Sequence, residues 1–278
     1  MASPVLFFSA SLWTFPPELE REIFELCAHA RPSSIPTLML TAWRVKQWTE
    51  PLLYRTIVLS SAKALDGYPT FGLKPFLAGI AARPAFFRDS VRNLMLHSVS
   101  ENVLPRILAV CTRVENLWAP MASDALLSLA SRCSQPALGH LYTSFMPLLR
   151  GLPPTHAFFA RLTHLEIIGM PLRREYALWV DSLSGLPRLT HLAFNEDALL
   201  PISAELLHSC ELLCVLVSLV GIHERMEAEM NTASRSDPRF VVLYSPWFED
   251  WQMGIRVGRD YWSKAESIVE ARRNRAST

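Results

Sequence analysis

Glycine is scarce in this chain: ten residues in 278, and none of them clustered. A phosphate-binding loop needs glycines close together so that backbone amides can approach the phosphate, so that class of site is excluded. An excess of one charge is missing too. Twenty-seven basic residues stand against 26 acidic ones, a formal net charge of +1. With no basic block, no surface is expected to track a nucleic-acid backbone. The five cysteines (Cys27, Cys111, Cys133, Cys210, Cys214) are odd in number and scattered. Secreted repeat modules carry paired cysteines at their ends, so a reducing, intracellular compartment, cytoplasmic or nuclear, is expected. Long apolar runs are lacking as well. The longest uncharged apolar run, Leu212 to Ile222, has eleven residues, well short of the about 20 that a membrane helix requires. The apolar stretch Val5-Leu6-Phe7-Phe8 has no basic start and is too short for a secretory leader. No membrane association is expected.

Catalytic signatures are also absent. The chain has no Gly-x-Ser-x-Gly elbow and no His-Glu-x-x-His. His164-Leu165-Glu166 matches the first half of a zinc-deaminase signature, but its Pro-Cys-x-x-Cys partner is missing. No catalytic residue and no cofactor are expected.

What is present is a repeat. Leu-x-x-Leu-x-Leu or a close variant begins at Val91, Val114, Leu138, Leu162, Leu189, Leu213 and Phe240. Its middle leucines are Leu94, Leu117, Leu141, Leu165, Leu192, Leu216 and Leu243, at steps of 23, 24, 24, 27, 24 and 27 residues. That period is the leucine-rich-repeat range, in which each unit is a short strand plus a helix. The expected fold is therefore α/β: a solenoid of parallel strands with outer helices over residues 55–246, entered by a strand at Ile57-Val58-Leu59. The first, fourth and sixth positions of each hexad should face one continuous core, because no single repeat can bury its own apolar face.

The third and fifth positions should face the other way. They include Trp118, His140, Tyr142, His164, Glu166 and His191. Aromatics among histidines and a carboxylate are the residue types that anchor protein interfaces, so these six are the candidate surface for an unidentified protein substrate. The other reading is that a terminal segment covers them. His140, His164 and His191 fall on adjacent strands, about 5 Å apart. A flat column does not converge on an ion, and no carboxylate is evidently placed to complete a set, so no metal is expected there. A solvated row of this kind would weaken binding below about pH 6.5 through imidazolium repulsion. His208, Cys210, Cys214 and His223 lie close in sequence, but Cys-x-x-x-Cys is not a strong zinc spacing, and the cysteines read as structural thiols, Cys214 on a strand with buried neighbours.

Residues 13–54 differ in kind. Leu19, Ile23, Leu26 and Cys27 form a stripe at helical spacing after Pro16 and Pro17, with Glu18, Glu20 and Glu22 in the first turn. Leu38, Ala42, Val45, Trp48 and Leu52 continue on one face, interrupted near Pro51. Two or three short helices should share one small core, which is marginal without a neighbour or a partner.

Phe15-Pro16-Pro17-Glu18-Leu19 resembles the Leu-Pro-x-Glu-Leu opening of an F-box. Glu50-Pro51-Leu52-Leu53-Tyr54-Arg55-Thr56-Ile57 resembles its Asp-Pro-x-Leu-Trp-Arg-x-Leu close. The run is similar to fungal F-box-like proteins, which often carry leucine-rich repeats behind the box. The resemblance implies binding to a Skp1-type adaptor within a cullin-based ubiquitin ligase, with Pro16, Leu19, Ile23 and Leu52 at positions that supply apolar contact. The same stripe could instead cap the first repeat. At the other end, residues 247–278 should cap the array. Trp247, Phe248 and Trp251 precede an amphipathic helix carrying Tyr261, Ala265, Ile268 and Val269, with Asp260 and Lys264 paired at i, i+4. Residues 1–12 read as a tail.

Overall fold

The computed structural model describes residues 15–60, 65–97, 99–132, 137–169, 172–195, 201–220 and 237–276. It divides into two compact units, one formed by the chain up to Leu53 with Gly67–Pro69, the other by Tyr54–Asp66 and everything from Thr70 onward.

The described residues of the first unit hold three α-helices, α1 (Pro17–Ala30), a single-turn α2 (Ile35–Leu38) and α3 (Trp43–Leu53), with a 3-10 turn at Pro32–Ser34 before α2. Two prolines start α1 where missing amide hydrogens cost nothing, and Glu18 and Glu20 sit at its positive end. Helix α3 continues through Pro51 to Leu53 rather than breaking there. Pro51 has no amide hydrogen to donate to the carbonyl four residues back, so the helix runs through it at the loss of that one backbone bond. A bidentate pair joins α3 to α1: Arg44 Nε and Nη2 donate to Glu20 at 2.9 and 2.7 Å. Among the described residues of the unit the core is small: Ala28, Ile35, Val45 and Thr49 are buried.

The second unit is α/β. Eight strands form one all-parallel sheet in sequential order: β1 (Thr56–Leu59), β2 (Asn93–Leu96), β3 (Asn116–Trp118), β4 (His140–Thr143), β5 (His164–Ile167), β6 (His191–Asn195), β7 (Val215–Val220) and β8 (Phe240–Tyr244). The connections carry α4 (Leu73–Ala82), α5 (Pro84–Ser90), α6 (Leu104–Val110), α7 (Ser123–Arg132), α8 (Met146–Gly151), α9 (Tyr176–Ser184) and α10 (Ser203–Ser209). Sequential order with one connection per strand is compatible with a solenoid-like repeat. Register follows the leucines: Leu94, Leu117, Leu141, Leu165, Leu192 and Leu216 are aligned across six neighbouring strands. These side chains are buried together with the first-position residues and with apolar residues of α4 through α10. The hexad phase thus places one core between the strands and the connecting helices.

The last repeat departs from the expected phase. Leu216 aligns with Phe240, and Leu243 aligns with Leu219. Phe240, fully buried, takes the leucine position, three residues before Leu243. Phe240 to Tyr244 is apolar at every position, so two phases satisfy the pattern equally, and periodicity alone cannot choose between them.

Two helices follow β8: α11 (Trp247–Val257) and α12 (Tyr261–Ala276). Gly258 ends α11 in the left-handed conformation, with φ at 67°, a region that suits a residue without Cβ. Gly254 lies so near Asp260 that any side chain there would collide with its carboxyl group. Asp260 does not pair with Lys264. It opens α12 reciprocally with Ser263: Ser263 N donates to Asp260 Oδ1 at 2.9 Å, and Asp260 N donates to Ser263 Oγ at 3.1 Å. This is a capping-box exchange, which uses the carboxylate for orphan amides. Lys264 reaches Asp250 of α11 instead, at 3.3 Å. No described helix is long and apolar enough to cross a membrane.

Candidate functional site

Two places carry the residues singled out by the sequence. The first is the N-terminal helical unit. The α1 stripe is not in that unit's core: Leu19 is 48% exposed, Ile23 46% and Leu26 61%, and on α3 Trp43 is 70% exposed. Phe15 and Leu40 are exposed too, Pro16 is at the surface, and Leu52 is half-buried. Ala28 is the α1 residue buried in the unit. The phase of α1 is therefore turned from the one a private core would need. An open apolar face remains on a helix that has the polar means to be soluble on its other sides.

The second place is the strand face opposite the connecting helices. It is not an open surface. Trp118, Tyr142, Glu166 and His191 are buried, and His140 and His164 are half-buried. Helices α11 and α12 lie on this face and build a second core of Met95, Trp118, Tyr142, Ala193, Val217 and Val241 with Phe248, Trp251, Trp262, Ala265 and Val269. Five of the six candidate positions expected to meet a substrate, all but His140, thus meet the chain's own C-terminal helices. The physical reason is apolar burial: this face offers aromatic and aliphatic surface that no neighbouring repeat can cover.

Polar side chains fix the helices in place. Trp251 Nε1 donates to Asn116 Oδ1 at 3.0 Å, and Trp262 Nε1 donates to the Tyr142 hydroxyl at 3.1 Å. Trp247 stacks on Trp118 with ring centres 4.9 Å apart. Glu166 accepts from the Tyr261 hydroxyl and from Asn195 Nδ2, each at 2.7 Å. Burial raises the Glu166 carboxyl above its ordinary range, and these two donors oppose that rise. Burial likewise pushes the Tyr142 and Tyr261 hydroxyls well above the usual value.

The three histidines form a stack. His140 and His164 ring centres are 3.9 Å apart and His164 and His191 4.0 Å, with planes within 7° of parallel. Trp262 presents its edge geometry to both His164 and His191, at 5.3 and 5.7 Å. Burial, and after it the neighbouring imidazoles, depress His140 to about 4 and His164 to about 2. These rings stay neutral far below pH 6.5, so the acid repulsion expected of a solvated row does not arise there. The carboxylate that the sequence did not place comes from α12: Glu266 Oε1 lies 3.0 Å from His191 Nε2. Among the described residues, His164, His191 and Glu266 are a group whose donor atoms converge, all within 4.8 Å of one another.

Beside His140 a pocket of about 470 Å³ opens at the start of the strands, lined by Asn93, Asn116, Arg161, Thr163 and Arg188 among others. Cys210 is buried and Cys214 exposed, both as free thiols, and His223 lies outside the described residues. What sequence reasoning missed was Glu266 and the paired tetrad Leu-Thr-His-Leu, at Leu162–Leu165 and Leu189–Leu192. That exact repetition within a loose hexad was the available signal. Neither a protein-family model nor a curated protein matches the chain.

Proposed function

We propose that this chain is a non-catalytic substrate-recognition adaptor of a Skp1-cullin-F-box-type ubiquitin ligase, acting inside the cell. The helical unit of residues 13–54 serves as an F-box-like module that docks on a Skp1-type adaptor, and the leucine-rich repeats hold a protein substrate. The observation carrying this reading is the exposed face of Leu19, Ile23, Leu26 and Trp43 on a unit whose core, among the described residues, is only four residues. A core that small supplies little stability, whereas apolar area of this kind gains roughly 25 cal/mol for each Å² a partner covers. The F-box resemblance of Phe15 to Leu19 and Glu50 to Ile57 supplies the identity of that partner.

The covered strand face shifts the substrate surface to what stays open. The rim pocket formed by His140, Asn93, Arg161, Thr163 and Arg188 is the best remaining candidate on the repeat unit. Catalysis is not required of this chain. Its part is effective concentration, holding a target near a ubiquitin-loaded enzyme supplied in trans.

Retention of the full chain on an immobilised Skp1-type adaptor tests the reading. Wild type should bind, and Leu19→Asp and Ile23→Asp should each abolish binding, because a desolvated carboxylate at an apolar contact costs more than the contact gains. No retention of wild type, or equal retention of the variants, leaves a repeat scaffold unconnected to ubiquitin.

A further inference from the structure

We propose that His164, His191 and Glu266 form a binding site for a divalent transition-metal ion of the zinc class, which ties α12 to β5 and β6. The inference stands apart from the ligase reading and shares with it only Thr163 of the rim pocket.

The donor chemistry fits. Two imidazoles and a carboxylate are a common protein set for zinc and its neighbours, with at least one position left for water. The donor atoms come from three different elements and lie within 4.8 Å of one another. Tetrahedral coordination at about 2.0–2.1 Å needs donor separations of about 3.4 Å, so the set must contract by roughly 1.4 Å. Glu266 is the side chain free to move, being half exposed on the outer part of α12. The imidazoles must tilt out of their stack, since a shared ion cannot lie in two parallel ring planes.

The surroundings of the histidines supply a second and independent argument. A ligating histidine needs its remote nitrogen protonated and hydrogen-bonded, which leaves the other lone pair for the metal. Thr163 Oγ1 lies 2.9 Å from His164 Nδ1, and Thr190 Oγ1 lies 2.8 Å from His191 Nδ1. Each hydroxyl also has a backbone carbonyl to donate to: Gly139 O for Thr163 and Thr163 O for Thr190, both at 3.2 Å. A hydroxyl has one proton. When it donates to the carbonyl, its oxygen accepts from Nδ1–H, and Nε2 becomes the lone-pair atom. Two consecutive repeats thus carry the same tautomer-setting relay.

Nε2 is also the atom that faces the carboxylate. His191 Nε2 lies 3.0 Å from Glu266 Oε1. In the Nδ1–H tautomer, one of the two the relay admits, a lone pair and a carboxylate confront one another, and a cation between them resolves the conflict. His164 Nε2 makes no hydrogen bond to any described residue.

The experiment uses the full chain, freed of metal with a chelator, its accessible thiols alkylated so that Cys27 and Cys214 cannot bind. Calorimetric titration with zinc chloride at pH 7.5 should give one equivalent with micromolar or tighter affinity. Cobalt(II) should give the intense visible absorption of tetrahedral coordination. Glu266→Gln, at an exposed position where the fold should be retained, should weaken binding at least tenfold. Thr190→Val, which removes the relay, should weaken it about 10–100-fold. His164→Asn should remove the cobalt spectrum. Absence of binding below millimolar zinc, or an equivalent that survives Glu266→Gln unchanged, overturns the proposal.

Discussion

The Tyr261 hydroxyl donates a 2.7 Å hydrogen bond to Glu166, a residue 95 positions earlier in the chain. Both groups are buried, and with Asn195 the tyrosine supplies the donors that make a buried carboxylate tolerable. Tyr261→Phe leaves the shape intact and removes one donor, so the carboxylate is left under-solvated. The expected loss is about 1–3 kcal/mol, read as a lower urea midpoint with an unchanged slope. Trp262→Ala, which also empties a packed site, should cost about 3–5 kcal/mol. Equal stability of both variants and wild type would show that α12 does not rest on this face.

The phase of β8 makes a paired prediction. Phe240 is fully buried at the leucine position, whereas Leu243 is partly exposed. Phe240→Ala should therefore destabilise by about 3–5 kcal/mol, and Leu243→Ala by clearly less. The reverse order in denaturant titrations would restore the phase that the hexad first suggests.

Thiol chemistry separates the cysteines. Burial pushes the Cys111 thiol up to about 12 and the Cys210 thiol to about 11, so neither forms the reactive thiolate near neutral pH. Cys27 and Cys214 are exposed. At pH 8, peptide mapping after brief alkylation should find Cys27 and Cys214 labelled and Cys111 and Cys210 protected until denaturant is added. Early labelling of Cys111 would contradict the packing of α6.

Acid sensitivity should pass through Arg239, which donates to the carbonyls of Leu207 at 2.6 Å and Leu213 at 3.1 Å while paired with Asp237 at 2.8 Å. Burial raises the Asp237 carboxyl, but the Arg239 hydrogen bonds outweigh it and hold the group below its ordinary value. A carboxyl whose folded pKa is depressed stabilises above the unfolded value, about 3.9, and loses that contribution as pH falls below it. Thermal midpoints between pH 6 and pH 3 should fall less steeply below pH 4 in Asp237→Asn than in wild type. Identical slopes would remove this pair from the acid response.

The strands and their register were legible because each hexad carries an independent copy of the same leucine phase. Six of those leucines align side by side as the period requires. Phe240 escaped because five successive apolar residues carry no phase. The covering of Trp118 and Tyr142 escaped for a different reason. Their partners Trp247 and Trp262 stand more than a hundred residues away, and an outward-facing aromatic looks the same in sequence whether a foreign protein or the chain's own end meets it. Glu266 is of the same kind: it reads as one acidic residue among several on a charged helix until the fold carries it to His191. On α1 the stripe itself was legible at helical spacing, but which side of the helix it would face was not. A repeating apolar stripe shows that a face exists without saying what lies opposite.

Helices α11 and α12 stand C-terminal to every strand they cover. During synthesis, which delivers about 5–20 residues each second, β1 to β8 leave the ribosome first. For the seconds until residue 276 emerges, the growing array presents indole and phenol rings to solvent, without the helices that later cover them. The nascent protein passes through an interval in which chaperones compete with its own unfinished tail for the same surface, and a pause in translation near codon 246 would prolong it.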